Sequence, residues 1–254
     1  MRLCCHRTTT KVFGDPRIKN EDYYLPRCNR EVVFQRFVMC DGATSSYAAR
    51  AWAEELAMAF EPCGEATEKE RVFNAAKQYE SKFPVSSLAG MDHSTIEAFK
   101  RGSSATLLVV EQDKSNPLLF HLTAVGDTCA FVIDGNNRII DSFPLNDAKE
   151  FSTSAYLVTA TFEGLKLLFD EKTKDFYWKT KDILLPSKQG CKILCATDAV
   201  AQWIAANKET PRNMERFFKA VRNHNKRKFA GFIEYERSKG AMPVDDSSVA
   251  LLEP

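Results

Sequence analysis

The sequence predicts an α+β protein in which antiparallel sheets form a sandwich covered by helices, on three grounds. Continuous apolar, β-rich runs fill the middle of the chain. Stretches with apolar residues at helical spacing flank that middle on both sides. Gly135-Asn136-Asn137 joins two of the runs as a hairpin turn, because Gly and Asn tolerate positive φ. Hairpins favour antiparallel pairing over βαβ units.

Element by element, positions 32–40 read as a strand that stops abruptly at Asp41-Gly42. In 45–60, Ala48, Ala49, Trp52, Ala53, Leu56, Ala57 and Phe60 recur at helical spacing, with Ser45 or Ser46 as the expected cap. A second helix is expected over 67–83, opened by the capping box Thr67-Glu68-Lys69-Glu70, and a short one over 94–100. Strands are expected at 105–110, 118–125, 129–134 and 138–143, and further on at 165–169 and 176–179. The run 192–197 is another buried strand ending on an aspartate, Asp198. Helices follow at 199–206, 211–223 and 229–236, and a last strand at 248–252. Met214, Phe217, Phe218 and Val221 form a core-facing stripe, and Trp52 and Trp203 are expected in the core. His121, in mid-strand, is expected to be a satisfied core histidine, and the basic run Asn225-Lys226-Arg227-Lys228 a solvated turn between helices.

A chain of 254 residues without a Pro/Gly/Ser-rich linker reads as one domain, 1–254. Its net charge of +1 gives no electrostatic reason to expect nucleic acid or an anionic membrane as a partner. Polar residues break the first thirteen positions, so no signal-peptide core is visible, and no apolar run approaches the roughly 20 residues of a membrane helix. A soluble, cytoplasmic, monomeric protein is the expectation. The eight cysteines include no Cys-x-x-Cys and several lie inside apolar runs, which suits reduced thiols packed as small hydrophobes. The four histidines are far apart, with no zinc spacing.

Aspartates recur where strands begin or end: Cys40-Asp41-Gly42, Val125-Gly126-Asp127, Thr197-Asp198 and Asp245-Asp246-Ser247. Strand ends are rigid, so such carboxylates can converge at one sheet edge. A carboxylate cluster repels itself and is stable when hard, oxygen-seeking cations neutralise it. Aspartate is also common at strand ends because it makes turns, and spacing alone leaves both explanations open.

The motifs resemble those of the type 2C family of metal-dependent protein phosphatases, in the family's order from end to end. Arg17-Ile18-Lys19-Asn20-Glu21-Asp22 resembles the opening motif, and Val38-Met39-Cys40-Asp41-Gly42 the strand ending in Asp-Gly. Gly102-Ser103-Ser104-Ala105-Thr106 is similar to the Gly-Ser-Thr-Ala strand, and Val125-Gly126-Asp127-Thr128 to Val-Gly-Asp-Ser. Leu194-Cys195-Ala196-Thr197-Asp198 resembles the later strand ending in Asp, and Asp245-Asp246-Ser247-Ser248-Val249 the closing Asp-Asn-x-Thr-Val segment. The stretch from Gly126 to Pro144 is similar to a compact bacterial branch of the family.

The resemblance implies a four-layer α-β-β-α sandwich and hydrolysis of phosphoserine or phosphothreonine esters on a phosphorylated protein substrate. It implies two sites for Mg²⁺ or Mn²⁺. Asp41 would bridge both metals, the Gly42 carbonyl would complete one, and Asp198 and Asp245 would hold the other. Glu21 and Asp22 would orient the surrounding waters, and Arg17 would grip the substrate phosphate with its planar fork. Cations so held acidify a water for in-line attack on phosphorus, which requires no cysteine nucleophile. Asp127 would hold a third metal with a second aspartate four residues beyond Asp198. That place is taken by Gln202, which implies a weaker third site. Ala43 follows Asp41-Gly42, where many relatives carry His or a second Gly, and Ala199 follows Asp198. The alternatives are a catalytically weak or inactive phosphatase-fold binding or scaffold module, and another carboxylate two-metal enzyme such as a nuclease.

Overall fold

The structure is a computed structural model. It describes residues 2–8, 20–26, 34–152, 156–160, 178–187, 190–222 and 226–254. In chain order the strands are β1 Arg2–Thr8, β2 Tyr23–Leu25, β3 Arg36–Cys40, β4 Ser104–Ala105, β5 Leu107–Gln112, β6 Leu119–Val125, β7 Cys129–Ile133, β8 Ile139–Phe143, β9 Val158–Thr159, β10 Lys179–Leu184, β11 Lys192–Ala196 and β12 Ser247–Glu253. The helices are α1 Ala49–Phe60, α2 Glu68–Lys82, α3 His93–Arg101, α4 Asp198–Asn207, α5 Pro211–Arg222 and α6 Lys226–Ser238.

Two five-stranded antiparallel sheets carry the fold, in the orders β1-β12-β11-β7-β8 and β10-β6-β5-β3-β2. Side chains alternate between the faces of a strand, and in β3, β5, β7, β11 and β12 both faces are buried. Phe37 and Met39 of β3 point between the sheets, while Val38 and Cys40 meet α1 and α2. In β12, Ala250 and Leu252 point between the sheets, while Val249 and Leu251 meet α4, α5 and α6. Three apolar cores follow, one between the sheets and one under each helical layer. This is the α-β-β-α sandwich.

Each helical layer owes its position to an apolar stripe. Helix α1 buries Ala49, Trp52, Ala53, Leu56, Ala57 and Phe60, and α5 buries Met214, Phe217, Phe218 and Val221. Trp52 donates its indole N–H to the Val158 carbonyl at 2.7 Å, and Trp203 donates to Glu236 at 3.2 Å, so neither buried ring leaves an unmade hydrogen bond. Helix α2 opens with the expected capping box between Thr67 and Glu70.

Several expectations need correction. Helix α1 begins at Ala49, after Ala48 in the left-handed region at φ 48°, with no side-chain cap. Ser46 is instead spent inside the preceding loop, donating to the Ala43 carbonyl at 2.7 Å and accepting Ser104 N–H at 3.2 Å. The strand expected over 105–110 is divided at Thr106 into β4 and β5. His121 is a surface residue, 2.8 Å from Asp182 and 3.4 Å from Asp113, and these carboxylates raise its pKa. Lys226, Arg227 and Lys228 open α6. The strand expected at 165–169, and all but the end of that at 176–179, lie outside the described residues.

Candidate metal centre

Strand register determines where the aspartates go. Tyr23 faces Cys40, so Asp22 and Asp41 leave β2 and β3 at the same end of their sheet. Met39 faces Leu108 and Leu107 faces Val125, so β6 also runs out at that end, into Gly126-Asp127. Residues 126–128 then cross to the other sheet, where Cys129 faces Ala196 and Ala196 faces Val249. Asp198 follows β11 at this end, and Asp245-Asp246 precede β12. Asp22, Asp41, Asp127, Asp198, Asp245 and Asp246 therefore collect at one end of the sandwich.

Thr106 is the hub that fixes Asp41. Its hydroxyl accepts the Asp41 N–H at 2.9 Å and bonds the Thr128 hydroxyl at 2.6 Å, while its own N–H donates to the Asp41 carbonyl at 2.8 Å. Gly126 makes room for it: at φ +99°, a Cβ there would lie 2.7 Å from Thr106 Cγ2. Gly42 is equally constrained, because a Cβ would meet the Ala49 backbone at 2.9 Å. The Asp-Gly pair is thus pressed against the start of α1.

A second set of bonds joins the opening and closing motifs. Asp246 accepts the Glu21 N–H at 2.6 Å. Thr197 donates its hydroxyl to Asp22 at 3.3 Å and accepts Ser248 N–H at 3.0 Å. Asp245 accepts the N–H of Asp246 at 2.8 Å. Asp198 accepts Ala199 N–H and occupies the first turn of α4, where the helix dipole favours its negative charge. Arg50 donates to the Asn20 carbonyl and lies 5.8 Å from the Tyr23 ring centroid, tying the opening motif to α1.

The carboxylates act on each other. Burial, then the charges of Asp22 and Asp198, hold the Asp41 pKa well above the ordinary carboxylate value. Asp198 is pushed up to about 7 by burial and by Asp245 and Asp127. Asp22 is pushed up to about 6, mainly by burial and by Asp246 and Asp245. Burial and Asp245 raise Asp127 as well. Asp22 Oδ1 is buried without a hydrogen-bond partner, an expensive position for an ionised oxygen.

Among the described residues, no three His, Cys, Asp or Glu side chains are arranged to hold one ion between them. The donor chemistry does suit a hard divalent cation. The available donors are carboxylate oxygens, they destabilise one another as anions, and the buried Asp22 oxygen lacks a proton donor. Asp22, Asp41, Asp127, Asp198 and Asp245 are brought together, Gly42 adjoins them, and Glu21 is attached through its backbone. Arg17 lies outside the described residues. Sequence reasoning gave no role to Thr106, Thr128, Thr197, Asp246 or Arg237. The first four stand inside the quoted motifs, where a hydroxyl or carboxylate beside a strand-end aspartate was the available signal.

This fold is that of serine/threonine phosphatases, shared at low sequence identity. The serine/threonine phosphatase Stp1 from Staphylococcus aureus matches 100% of this chain and 95% of its own, with a TM-score of 0.58 and 15% identity. PppA of Pseudomonas aeruginosa, described as a regulatory component of T6SS, matches 99% of this chain and 96% of its own at TM-score 0.52 and 10% identity. The photosystem II phosphatase PBCP matches 99% and 98% at TM-score 0.50 and 12% identity. No family model matches the sequence, and no curated protein matches it. The fold expected from the resemblance to type 2C phosphatases is the fold found.

Proposed function

We propose that the chain is a metal-dependent serine/threonine protein phosphatase, a single catalytic domain over 1–254 acting on phosphorylated proteins. The observation that supports this reading most is the convergence of Asp22, Asp41, Asp127, Asp198 and Asp245 at one end of the sandwich, through pairing registers that reach from β2 to β12. Mg²⁺ or Mn²⁺ bound there would neutralise the carboxylates, acidify an attacking water and stabilise charge developing on the phosphoryl oxygens.

Asp41, Asp198 and Asp245 would be the direct holders, with the Gly42 carbonyl beside them and Asp127 contributing to a weaker third position. Asp22 and Glu21 would orient water, with Asp22 held by Thr197 and Glu21 by Asp246. Arg17 would bind and orient the phosphate. Cysteine chemistry has poor support at this site. Cys40, Cys129 and Cys195 are fully buried and burial pushes their thiol pKa values up, the opposite of an activated nucleophile.

The test is hydrolysis of a phosphoserine peptide. Activity should vanish in chelator, return with Mn²⁺ or Mg²⁺, and survive alkylation of the exposed Cys63 in the folded protein. Turnover that persists in chelator, or that alkylation abolishes while the protein stays folded, would overturn this reading.

A further inference from the structure

Arg237 stands at the C-terminal end of α6 and brackets the loop that delivers Asp245. Its Nε donates to the Pro243 carbonyl at 3.0 Å, and its Nη2 donates to the Asp245 carbonyl and to the Ser247 hydroxyl, the latter at 2.9 Å. The three acceptors lie before, at and after Asp245, so one planar guanidinium fixes the loop on both sides of that carboxylate. The platform behind it is rigid. Phe232 and Ile233 are buried in the helical core, and Glu236 is held by Trp203 at 3.2 Å and by Arg216 at 2.9 Å. The turn after the helix is closed by Gly240, at φ +68°, and by Ala241 N–H donating to the Glu236 carbonyl at 3.0 Å. Arg237 also places a positive charge beside Asp245, Asp246 and Asp198.

We infer that Arg237 is a positioning residue for divalent-cation binding, setting the Asp245 carboxylate through its bracket on residues 243–247. This rests on the metal-centre reading above. Ligands must be held to about 0.5 Å to bind well, and Asp245 lies two residues ahead of the β12 ladder, so its position also depends on what holds residues 243–247. A lysine would keep the charge but lose the bracket, because a single ammonium on a flexible stem cannot reproduce the planar fork.

The measurement is Mn²⁺ titration of the folded protein by calorimetry, with unfolding followed separately in chelator. Arg237→Lys should weaken Mn²⁺ binding about tenfold. Because the charge is kept, that loss would report geometry. Ser247→Ala, which removes one acceptor and leaves the other two, should weaken it about threefold, and it decides the matter if Arg237→Lys does not fold. A purely structural role would lower the unfolding midpoint in chelator and leave the Mn²⁺ affinity of the folded variants unchanged, and that result would overturn the inference. Wild-type protein that fails to bind Mn²⁺ would overturn the metal-centre reading together with it. Wild-type binding matched within twofold by the variants would overturn the positioning role alone.

Discussion

Asp41 has its backbone locked by Thr106 on both sides, while its carboxylate faces the charges of Asp22, Asp198 and Asp245. Asp41→Asn keeps the backbone bonds and removes the charge. The variant should fold, lose turnover of a phosphate ester, and bind Mn²⁺ more weakly. An active Asp41→Asn enzyme would exclude Asp41 as a bridging ligand. Arg17 has a different expected role. Arg17→Ala should raise KM roughly tenfold to hundredfold, matching the about 1.5–3 kcal/mol of a charge-assisted contact, with Mn²⁺ affinity unchanged. Arg17→Lys should recover only part of that loss. Unchanged kinetic constants in Arg17→Ala would move the phosphate contact to another cation. Asp41, Asp127, Asp198 and Asp245 were legible in the sequence as aspartates where strand-like runs begin or end, and Asp22 through the opening motif. Their supports were not: a threonine that bonds another threonine across 22 positions looks like any strand threonine until register brings the two together.

Among the elements, the inner strands were the easy ones to read. β3, β5, β7, β11 and β12 are buried on both faces and appear as continuous apolar runs. β1, β2 and β10 were missed, at least in extent, and each is an edge strand. An edge strand is often short or charged, which suppresses aggregation and also erases the apolar signature. β10 reads Lys-Thr-Lys-Asp-Ile-Leu, with only Ile183 buried. The junction of β4 and β5 carries its own test. Thr106→Val keeps the shape and removes the hydroxyl, leaving the Asp41 N–H and the Thr128 hydroxyl without their partner. It should cost about 1–3 kcal/mol in denaturant unfolding. A loss under about 0.5 kcal/mol would mean that Thr106 does not organise this junction.

The whole molecule carries the electrostatic consequence. The ordinary aspartate value is 3.8, whereas folded Asp22 and Asp198 sit at about 6 and about 7. The folded state therefore holds these protons more tightly than the unfolded chain. Their contribution to stability is lost as pH rises from about 4 through 7, and it levels off above that. In chelator, the unfolding midpoint should fall between pH 5 and pH 8, and Asp198→Asn should flatten the slope. Saturating Mn²⁺ should reverse the trend, because cation binding needs the deprotonated carboxylates. A wild-type slope identical to that of Asp198→Asn would show that Asp198 does not titrate in this window.

β12 lies between β1 and β11, and Asp246 just before it bonds Glu21 across 225 positions. At about 5–20 residues per second, a ribosome needs roughly 10 to 45 s to make the chain between those two residues. Throughout that interval β1 has been synthesised without the strand it pairs with, and the opening motif without the carboxylate that holds it. A nascent chain halted before Asp245 would expose an unpaired edge on β11 and carry no complete site. Chaperone capture and protease sensitivity should therefore persist until residues 245–253 emerge.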